Sequence, residues 1–269
     1  MNARLTPALR AAFATAAAKW EAGERTGRIW EGDSTVWTGR DEAYWLGWLA
    51  APEREAARLG DYAELARVAS HKGIRHVLLL GMGGSSLGAE VVRQSFERSP
   101  GSPRLHVLDS THPDQVKAFA EAIDPRSAWV VVASKSGSTV EPNLLLSYFL
   151  DRFTAELGEN APARFLAVSD PGSALDKLAR EQRFLALVPG EPTIGGRFSA
   201  ISPFGLVPAA LLGLDLPRYV NRAAELAADC REAEVLKNPG VALGLALGVA
   251  AKAGQDKLTL VLAPQIAAL

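Results

Sequence analysis

The feature that most constrains this chain is an alternation of short apolar segments with longer amphipathic segments, starting near residue 74. Because the short segments are rich in Val and Leu, they predict strands buried on both faces of a parallel sheet. The predicted strands are His76–Leu80, Arg104–Leu108, Trp129–Ala133, Arg164–Val168 and Phe184–Leu187. The predicted crossover helices are Ser86–Arg98, Asp114–Ile123, Val140–Leu157 and Ser173–Glu181. This order predicts a doubly wound α/β fold, an α-β-α sandwich with a five-stranded parallel sheet.

Residues 1–70 precede this region and form a predicted helical arm. Leu5, Leu9 and Phe13 recur at helical spacing near its start, which indicates an amphipathic helix rather than a signal peptide. Five of the six tryptophans lie in the arm. So dense a set of indoles indicates packing against the core or against a partner subunit.

The segment after the α/β region predicts helices at Pro203–Leu212 and Pro217–Lys252, with a buried stretch at Val241–Ala251. The sequence Lys257–Ala263 then predicts a strand. Because a parallel strand needs a neighbour and a covering helix, we expect the chain to be cut within a second α/β domain. The predicted units are the arm (1–70), the first α/β domain (71–190), and connecting helices with the start of an incomplete second domain (191–269).

Composition excludes several classes of protein. A net charge of -1, with 22% charged residues, argues against a dedicated nucleic-acid or membrane-surface binder. The single cysteine, Cys230, excludes an intramolecular disulfide framework and is expected to be a structural thiol in a reducing compartment. Because no run of 18 apolar residues occurs, we expect a soluble, cytoplasmic protein.

Three loops follow predicted strands and carry residues suited to binding an anion. The first, which we call the glycine loop, is Gly81–Gly88, with the sequence GMGGSSLG. Its glycines allow the backbone to approach a phosphate, and the helix that follows offers free N–H groups. The loop also resembles a dinucleotide fingerprint, with Asp109 about where a ribose-binding acid would lie, although Ser86 replaces the third glycine. A tight turn without a ligand is the alternative interpretation.

The second, the hydroxyl loop, is Ser134–Thr139, with the sequence SKSGST, and Glu141 follows it. Its four hydroxyl groups at a helix start can surround a phosphate monoester with directional donors. A helix cap alone would require only one of them. The bridging diphosphate of a dinucleotide would not need this second phosphate-binding loop.

The third, the arginine loop, is Gly195–Ser199, with the sequence GGRFS. Paired glycines allow the Arg197 guanidinium to reach into a cleft, where it can stabilise a developing oxyanion. A turn with a surface charge is the alternative. His112 is expected to be a loop or N-cap residue, and His76 and His106 are expected to be structural residues of strands.

In this order and spacing the three loops resemble glucose-6-phosphate isomerase. The segment Asp109–Pro113 fits the same pattern, and the arm segments Arg28–Asp33 and Leu46–Leu49 are similar to the isomerase half of bacterial transaldolase–isomerase fusions. Matched by position, the phosphate-binding residues implied are Gly84, Ser85, Ser134, Lys135, Ser136 and Thr139. The catalytic residues implied are Arg197, which stabilises the enediolate, and Glu141, which orients a ring-opening histidine. One departure is Gly137-Ser138, where many members carry bulkier residues.

The resemblance implies a sugar-isomerase (SIS) fold and an aldose–ketose isomerase of glycolysis and gluconeogenesis. It would interconvert glucose 6-phosphate and fructose 6-phosphate through a cis-enediol(ate), as a homodimer, without a metal or cofactor. In the family, the general base lies in a Glu-Ser-x-Gly-Lys segment, and a histidine and a C-terminal lysine assist it. No counterpart occurs here, since no histidine follows His112 and no glutamate follows Glu234. We therefore expect the chain alone to hold the phosphate site without the base and to be inactive.

Two other classes of function remain open at this point. A non-catalytic sugar-phosphate-binding module would use the same fold without the base. A nucleotide-dependent oxidoreductase would depend on the glycine loop. The hydroxyl loop argues against the oxidoreductase, whereas the arginine loop and the tryptophan-rich arm argue against the simple module.

Overall fold

The fold is described from a computed structural model, which covers residues 4–268. Residues 1–3 of the predicted arm and Leu269 of the predicted second domain lie outside the described residues. One sheet of five parallel strands forms the centre of the described part. Its strands are β1 (His76–Gly81), β2 (Arg104–Leu108), β3 (Ala128–Ala133), β4 (Phe165–Ser169) and β5 (Ala186–Pro189). The predicted doubly wound α/β class is confirmed.

Eleven α-helices occur within residues 4–268. They are α1 (Pro7–Ala22), α2 (Arg25–Trp30), α3 (Ala51–Ala56), α4 (Leu59–His71), α5 (Leu87–Ser95), α6 (Pro113–Ala122), α7 (Val140–Leu157), α8 (Ala174–Glu181), α9 (Pro203–Leu212), α10 (Leu216–Asp229) and α11 (Pro239–Lys252). Side chains of the N-cap residues stabilise the first turns of several helices. Ser173 and Ser202, for example, cap α8 and α9 through their hydroxyl oxygens.

Side chains alternate between the two faces of the sheet, so each strand contributes to two apolar layers. One layer joins Leu79 and Val131 to α4, α5 and α9. The other joins Leu80 and Val132 to α6, α7 and α8. Helix α9 is buried along its whole length, which explains why its sequence is apolar on every side. Because helices cover both faces of the sheet, the strand sequences are apolar at nearly every position.

The strand order is β2-β1-β3-β4-β5. The chain therefore winds first to one side of β1 and then to the other, and the topological switch point lies between β1 and β3. The last residues of these two strands are paired, because Gly81 lies opposite Ala133. Consequently the glycine loop and the hydroxyl loop, which continue from these residues, leave the sheet side by side.

The arm packs on the rest of the chain. Its helix α1 contacts α11, and α3 contacts α10. The indole of Trp30 donates a hydrogen bond to the Cys230 carbonyl (3.1 Å), and the Arg231 guanidinium lies 4.0 Å from the centre of the Trp30 ring. The tryptophan-rich segment thus contributes to the packing of the described chain.

Three predictions about the C-terminal segment are wrong. Residues 255–263 form no strand and are largely exposed, with Leu258 and Val261 64% and 94% accessible, because no neighbouring strand supplies hydrogen bonds. The predicted helix Pro217–Lys252 is divided into α10 and α11. The stretch Val241–Ala251 is not a buried helix, since only Ala242 and Ala246 of α11 are buried.

The prediction for the fifth strand is displaced by two residues, from Phe184–Leu187 to Ala186–Pro189. Arg183 has a positive φ of 57°, so the turn that ends α8 extends further than the apolar pattern indicates. Pairing with β4 begins only at Ala186, opposite Leu166. Among residues 4–268, no helix is long and apolar enough to cross a membrane.

Candidate active site

The glycine loop and the arginine loop are in direct contact. A Cβ atom placed on Gly84 would lie 2.4 Å from the backbone of Gly196, so no larger residue fits at Gly84. The Ser199 hydroxyl joins the two loops, because it lies 2.7 Å from the Gly84 carbonyl and 2.6 Å from the Gly196 carbonyl. The two loops therefore form one rigid wall at the carboxyl end of β1.

The hydroxyl loop is a compact turn held by its own side chains. The Ser134 hydroxyl is buried and accepts a hydrogen bond from the Gly137 N–H (3.2 Å). Ser136 accepts from the Ser138 N–H (3.2 Å), and the two hydroxyls lie 2.9 Å apart. Gly137 has a φ of +67°, and a Cβ there would lie 2.3 Å from the Leu175 nitrogen. Glycine is therefore required at position 137.

Lys135 points back into the protein. Its ammonium lies 2.5 Å from Oδ2 of Asp170 and donates to the Pro192 carbonyl at 2.7 Å. It also lies 5.8 Å from the centre of the Trp45 ring, within range of a cation–π contact. This ammonium is held by groups from three other segments of the chain.

Part of the predicted site lines a narrow cleft. It is lined by residues of the glycine and arginine loops, by Lys135, and by residues that follow β5. Gly84 and Ser85 line it together with Glu191 and Ser199. Among the predicted phosphate ligands, only Gly84, Ser85 and Lys135 line this cleft.

The other predicted site residues lie outside the cleft. Ser136, Thr139, Glu141 and Arg197 are exposed, whereas Ser134 is buried. Within residues 4–268 the Arg197 guanidinium forms neither an ion pair nor a hydrogen bond, so its donors are available to a ligand. Thr139 is the N-cap of α7, and its side chain makes no capping bond. The side chains of these four residues are thus open to solvent rather than enclosed in the cleft.

Glu191 is a charged group of the cleft. Burial acts to raise the pKa of its carboxyl, but hydrogen bonds from the Thr193 hydroxyl and N–H, together with Arg54 and Lys135, lower that pKa below its ordinary value. The Thr193 hydroxyl lies 2.6 Å from Oε1, and Arg54 lies 3.7 Å from Oε2. Glu191 is therefore ionised at neutral pH and is unsuited to hold a proton there.

The arm reaches the arginine loop. The rings of Trp48 and Phe198 stack with centres 5.3 Å apart. The Gly47 N–H donates to the Thr193 carbonyl at 3.1 Å, and Leu46 forms an isolated antiparallel bridge with Ile194. These contacts fix the backbone on both sides of the paired glycines that precede Arg197.

The histidines have structural roles, as the sequence predicts. His112 caps α6 by accepting a hydrogen bond from the Asp114 N–H at 3.3 Å. His76 Nδ1 and His106 Nε2 lie 3.0 Å apart at the other end of the strands, with the rings stacked. Burial, Arg104 and Arg75 lower the pKa of His76, and Asp124 opposes them.

Two polar residues of the site were not predicted from the sequence. Asp170 and Glu191 follow the ends of β4 and β5 respectively, and so share the edge of the sheet with the predicted loops. That position is the signal that would identify them. Within residues 4–268 no group of three or more His, Cys, Asp or Glu side chains forms a metal-binding cluster.

Comparison with known proteins agrees with this geometry. The family model described as phosphoglucose isomerase matches residues 55–263. Glucose-6-phosphate isomerase from Prochlorococcus marinus is 34% identical over 172 residues, which cover 63% of this chain and 33% of that protein. The enzyme of the same name from a strain of Thermus thermophilus is 35% identical over 176 residues, covering 64% of this chain and 40% of that protein.

Solved structures give the same result. A hypothetical protein of Thermus thermophilus has a TM-score of 0.72 at 28% identity, covering 90% of this chain and 57% of that chain. A glucose-6-phosphate isomerase of Chlamydia trachomatis has a TM-score of 0.64 at 27% identity, covering 74% and 38%. The chain thus spans 33% and 40% of the first two relatives in sequence. It belongs to the phosphoglucose isomerase family.

Proposed function

We propose that this chain provides the phosphosugar-binding part of an aldose–ketose isomerase that interconverts glucose 6-phosphate and fructose 6-phosphate. The observation that carries the proposal is the meeting of the glycine and hydroxyl loops at the switch point between β1 and β3. The two loops bring backbone N–H groups, hydroxyls and the start of α7 to this edge of the sheet, and such groups suit a phosphate monoester. Family membership supports the reaction.

In this proposal, the phosphate binds to the glycine loop and the hydroxyl loop at Gly84, Ser85, Ser134, Ser136 and Thr139. Arg197, exposed beside this surface, stabilises the oxyanion of the cis-enediolate as charge develops. Glu141, in the first turn of α7, orients an acid that assists ring opening. These last two assignments come from the resemblance and agree with the open position of both side chains.

The proposal includes no general base from residues 1–269. Proton transfer between adjacent carbons requires a carboxylate within about 3 Å of the substrate C–H. The carboxylate of the cleft, Glu191, is a weak base, because, despite partial burial, hydrogen bonds from Thr193 and the charges of Arg54 and Lys135 lower its pKa. We therefore propose a site that binds substrate and stabilises the enediolate but does not move the proton by itself.

The proposal extends to assembly and location. A homodimer of SIS-type domains in the cytoplasm is what the resemblance implies. Exposed leucines on α10 and α11, namely Leu226, Leu243 and Leu247, support association with a further surface. Sedimentation velocity of the purified chain measures its mass in solution, and a strictly monomeric chain at all concentrations would argue against the dimer for these residues.

Calorimetry with glucose 6-phosphate tests the binding site. The double variant Ser134→Ala/Thr139→Ala should bind at least about tenfold more weakly, because each lost donor costs roughly 1–3 kcal/mol. Thr15→Ala, whose hydroxyl donates only to the Ala11 carbonyl in α1, is the matched control and should bind as the wild type does. Unchanged affinity in the double variant would refute the assignment, and binding of NAD in place of the sugar phosphate would favour an oxidoreductase.

A further inference from the structure

The Lys135–Asp170 pair connects the hydroxyl loop to the end of β4. Both side chains are mostly buried, with 28% of Lys135 and 16% of Asp170 exposed. Oδ1 of Asp170 is buried, and within residues 4–268 no hydrogen-bond donor reaches it. Because a buried carboxylate is costly without a charged partner, the Asp170 carboxylate depends on Lys135.

Lys135 is held in this direction by more than the carboxylate. The Pro192 carbonyl accepts its second hydrogen bond, and the Lys135 carbonyl in turn accepts from the Asp170 N–H at 3.1 Å. Backbone and side chain of Lys135 are thus both tied to the segment after β4. Two of the three N–H donors of this ammonium are thus committed to protein acceptors, and its charge is paired with Asp170.

The hydroxyl loop is anchored at its first residue and at Gly137 by separate hydrogen bonds. The Ser169 hydroxyl lies 2.6 Å from the Ser134 carbonyl, and Asn143 donates to the Gly137 carbonyl at 3.1 Å. Lys135 anchors the part between these two points. Its side chain reaches Asp170 and Pro192, whereas within residues 4–268 the Gly137 and Ser138 N–H groups bond only to hydroxyls of the loop itself.

We propose that Asp170 is a positioning residue for the phosphate site: with the Pro192 carbonyl, it holds the Lys135 ammonium inside the protein, so that Lys135 fixes the hydroxyl loop and does not offer its charge to the phosphate. This inference rests on the proposed function, and it changes the role of Lys135 from phosphate ligand to brace. The phosphate is then bound by N–H and hydroxyl groups of the loops.

The variant Asp170→Asn separates the two roles by the sign of its effect. If Lys135 is a brace, loss of the carboxylate loosens the hydroxyl loop, and the affinity for glucose 6-phosphate falls by roughly fivefold or more. If Lys135 binds the phosphate directly, release from Asp170 leaves the affinity equal or higher. Calorimetry on the folded proteins, well below their unfolding temperatures, measures this difference, and equal or tighter binding would overturn the proposal.

A matched control is Glu156→Gln, which removes a partly buried carboxylate that pairs with Arg126 at 3.2 Å. Glu156 lies in the last turn of α7, about 24 Å along the helix from the hydroxyl loop. It should leave the affinity within about twofold of the wild type. A loss as large as that of Asp170→Asn would mean that general destabilisation, rather than positioning, weakens binding.

If Asp170→Asn folds poorly, a second variant tests the same proposal. Lys135→Met/Asp170→Leu removes both charges together and leaves no lone buried ion. If Lys135 is a brace, the affinity of this double variant should depend on ionic strength as that of the wild type does, because the lost ammonium never faced the ligand. A clearly weaker salt dependence would overturn the proposal.

Hydrogen exchange tests the brace without any ligand. The Gly137 and Ser138 N–H groups, which donate to Ser134 and Ser136, should exchange at least about tenfold faster in Asp170→Asn than in the wild type. Unchanged exchange would refute the inference. A wild type that binds no sugar phosphate at all would refute the proposed function instead, so that the two failures can be told apart.

Discussion

At the scale of single residues, Arg197 differs from the other cations of the site. Lys135 and Arg54 are committed to partners within the protein, whereas the Arg197 guanidinium forms no bond within residues 4–268. Its backbone is nevertheless fixed, because Gly84 and Gly196 are in contact and Phe198 stacks on the arm. A free charge on a fixed backbone suits a group that must meet charge developing in a transition state.

This contrast predicts a selective effect of Arg197→Ala. Binding of inorganic phosphate should stay within about threefold, because the proposed phosphate contacts come from other loops. Binding of a phosphorylated hydroxamate, which mimics the planar, negatively charged enediolate, should weaken by on the order of 100-fold. Calorimetry with both ligands checks the prediction. An equal loss for both would mean that Arg197 is a phosphate clamp.

The histidine pair at the amino end of the sheet predicts a pH dependence of stability. Burial, followed by the charges of His76, Arg104 and Arg93, lowers the pKa of His106 to about 4. Because the unfolded chain binds protons more readily, the free energy of unfolding should fall as the pH decreases from about 6.5 to about 4. His106→Asn should reduce that loss by about 1–2 kcal/mol, measured by urea denaturation at about pH 7 and about pH 5. The same pH slope in variant and wild type would contradict this.

At the scale of elements, Asn238 explains why one predicted helix is two. It is fully buried, and its amide donates to the Cys230 carbonyl (2.7 Å) and the Glu232 carbonyl (2.9 Å). Its Oδ1 accepts from the Val241 N–H at 2.9 Å and so caps α11. One side chain thus closes the turn between α10 and α11 and starts the next helix.

Asn238→Ala should therefore lower the free energy of unfolding by about 2–3 kcal/mol, because it removes the cap of α11 and the two hydrogen bonds that the buried amide donates across the turn. Asn221→Ala is the comparison, since within residues 4–268 that exposed amide on α10 donates only to Glu225. It should cost less than about 0.5 kcal/mol. Chemical denaturation of both variants measures the difference, and similar losses would show that the buried amide has no special role.

Features that depend on neighbouring residues in the sequence could be predicted, whereas features that depend on residues far apart in the sequence could not. The bounds of β2, α7 and α9 agree with the prediction, because apolar periodicity and caps are local signals. The strand predicted at Lys257–Ala263 is wrong because its pattern lacks a partner within the described residues. The loops of the site are recognisable from their glycines and hydroxyls. The links from Lys135 to Asp170 and Pro192 are not, since they join residues 35 and 57 positions apart.

At the scale of the whole molecule, the proposal is that residues 1–269 bind the substrate without supplying the general base. No glutamate follows Glu234 and no histidine follows His112. Positioned acid–base groups contribute about 10²–10⁴-fold to rate, so we expect purified residues 1–269 to convert almost no glucose 6-phosphate. A coupled assay measures this, and turnover on the order of 10 s⁻¹ would contradict the expectation.

The most direct measurement for the whole account is an NMR titration of the ¹⁵N-labelled chain with glucose 6-phosphate. The account predicts that the largest amide shifts occur in the glycine loop at Gly83–Ser85 and in the hydroxyl loop at Ser136–Thr139, which leave neighbouring strands at the switch point. Residues at the amino end of the sheet, such as His76 and Arg104, should not shift. Shifts that cluster at that opposite end, or no shifts at millimolar ligand, would contradict the central claim that β1 and β3 present a phosphosugar site.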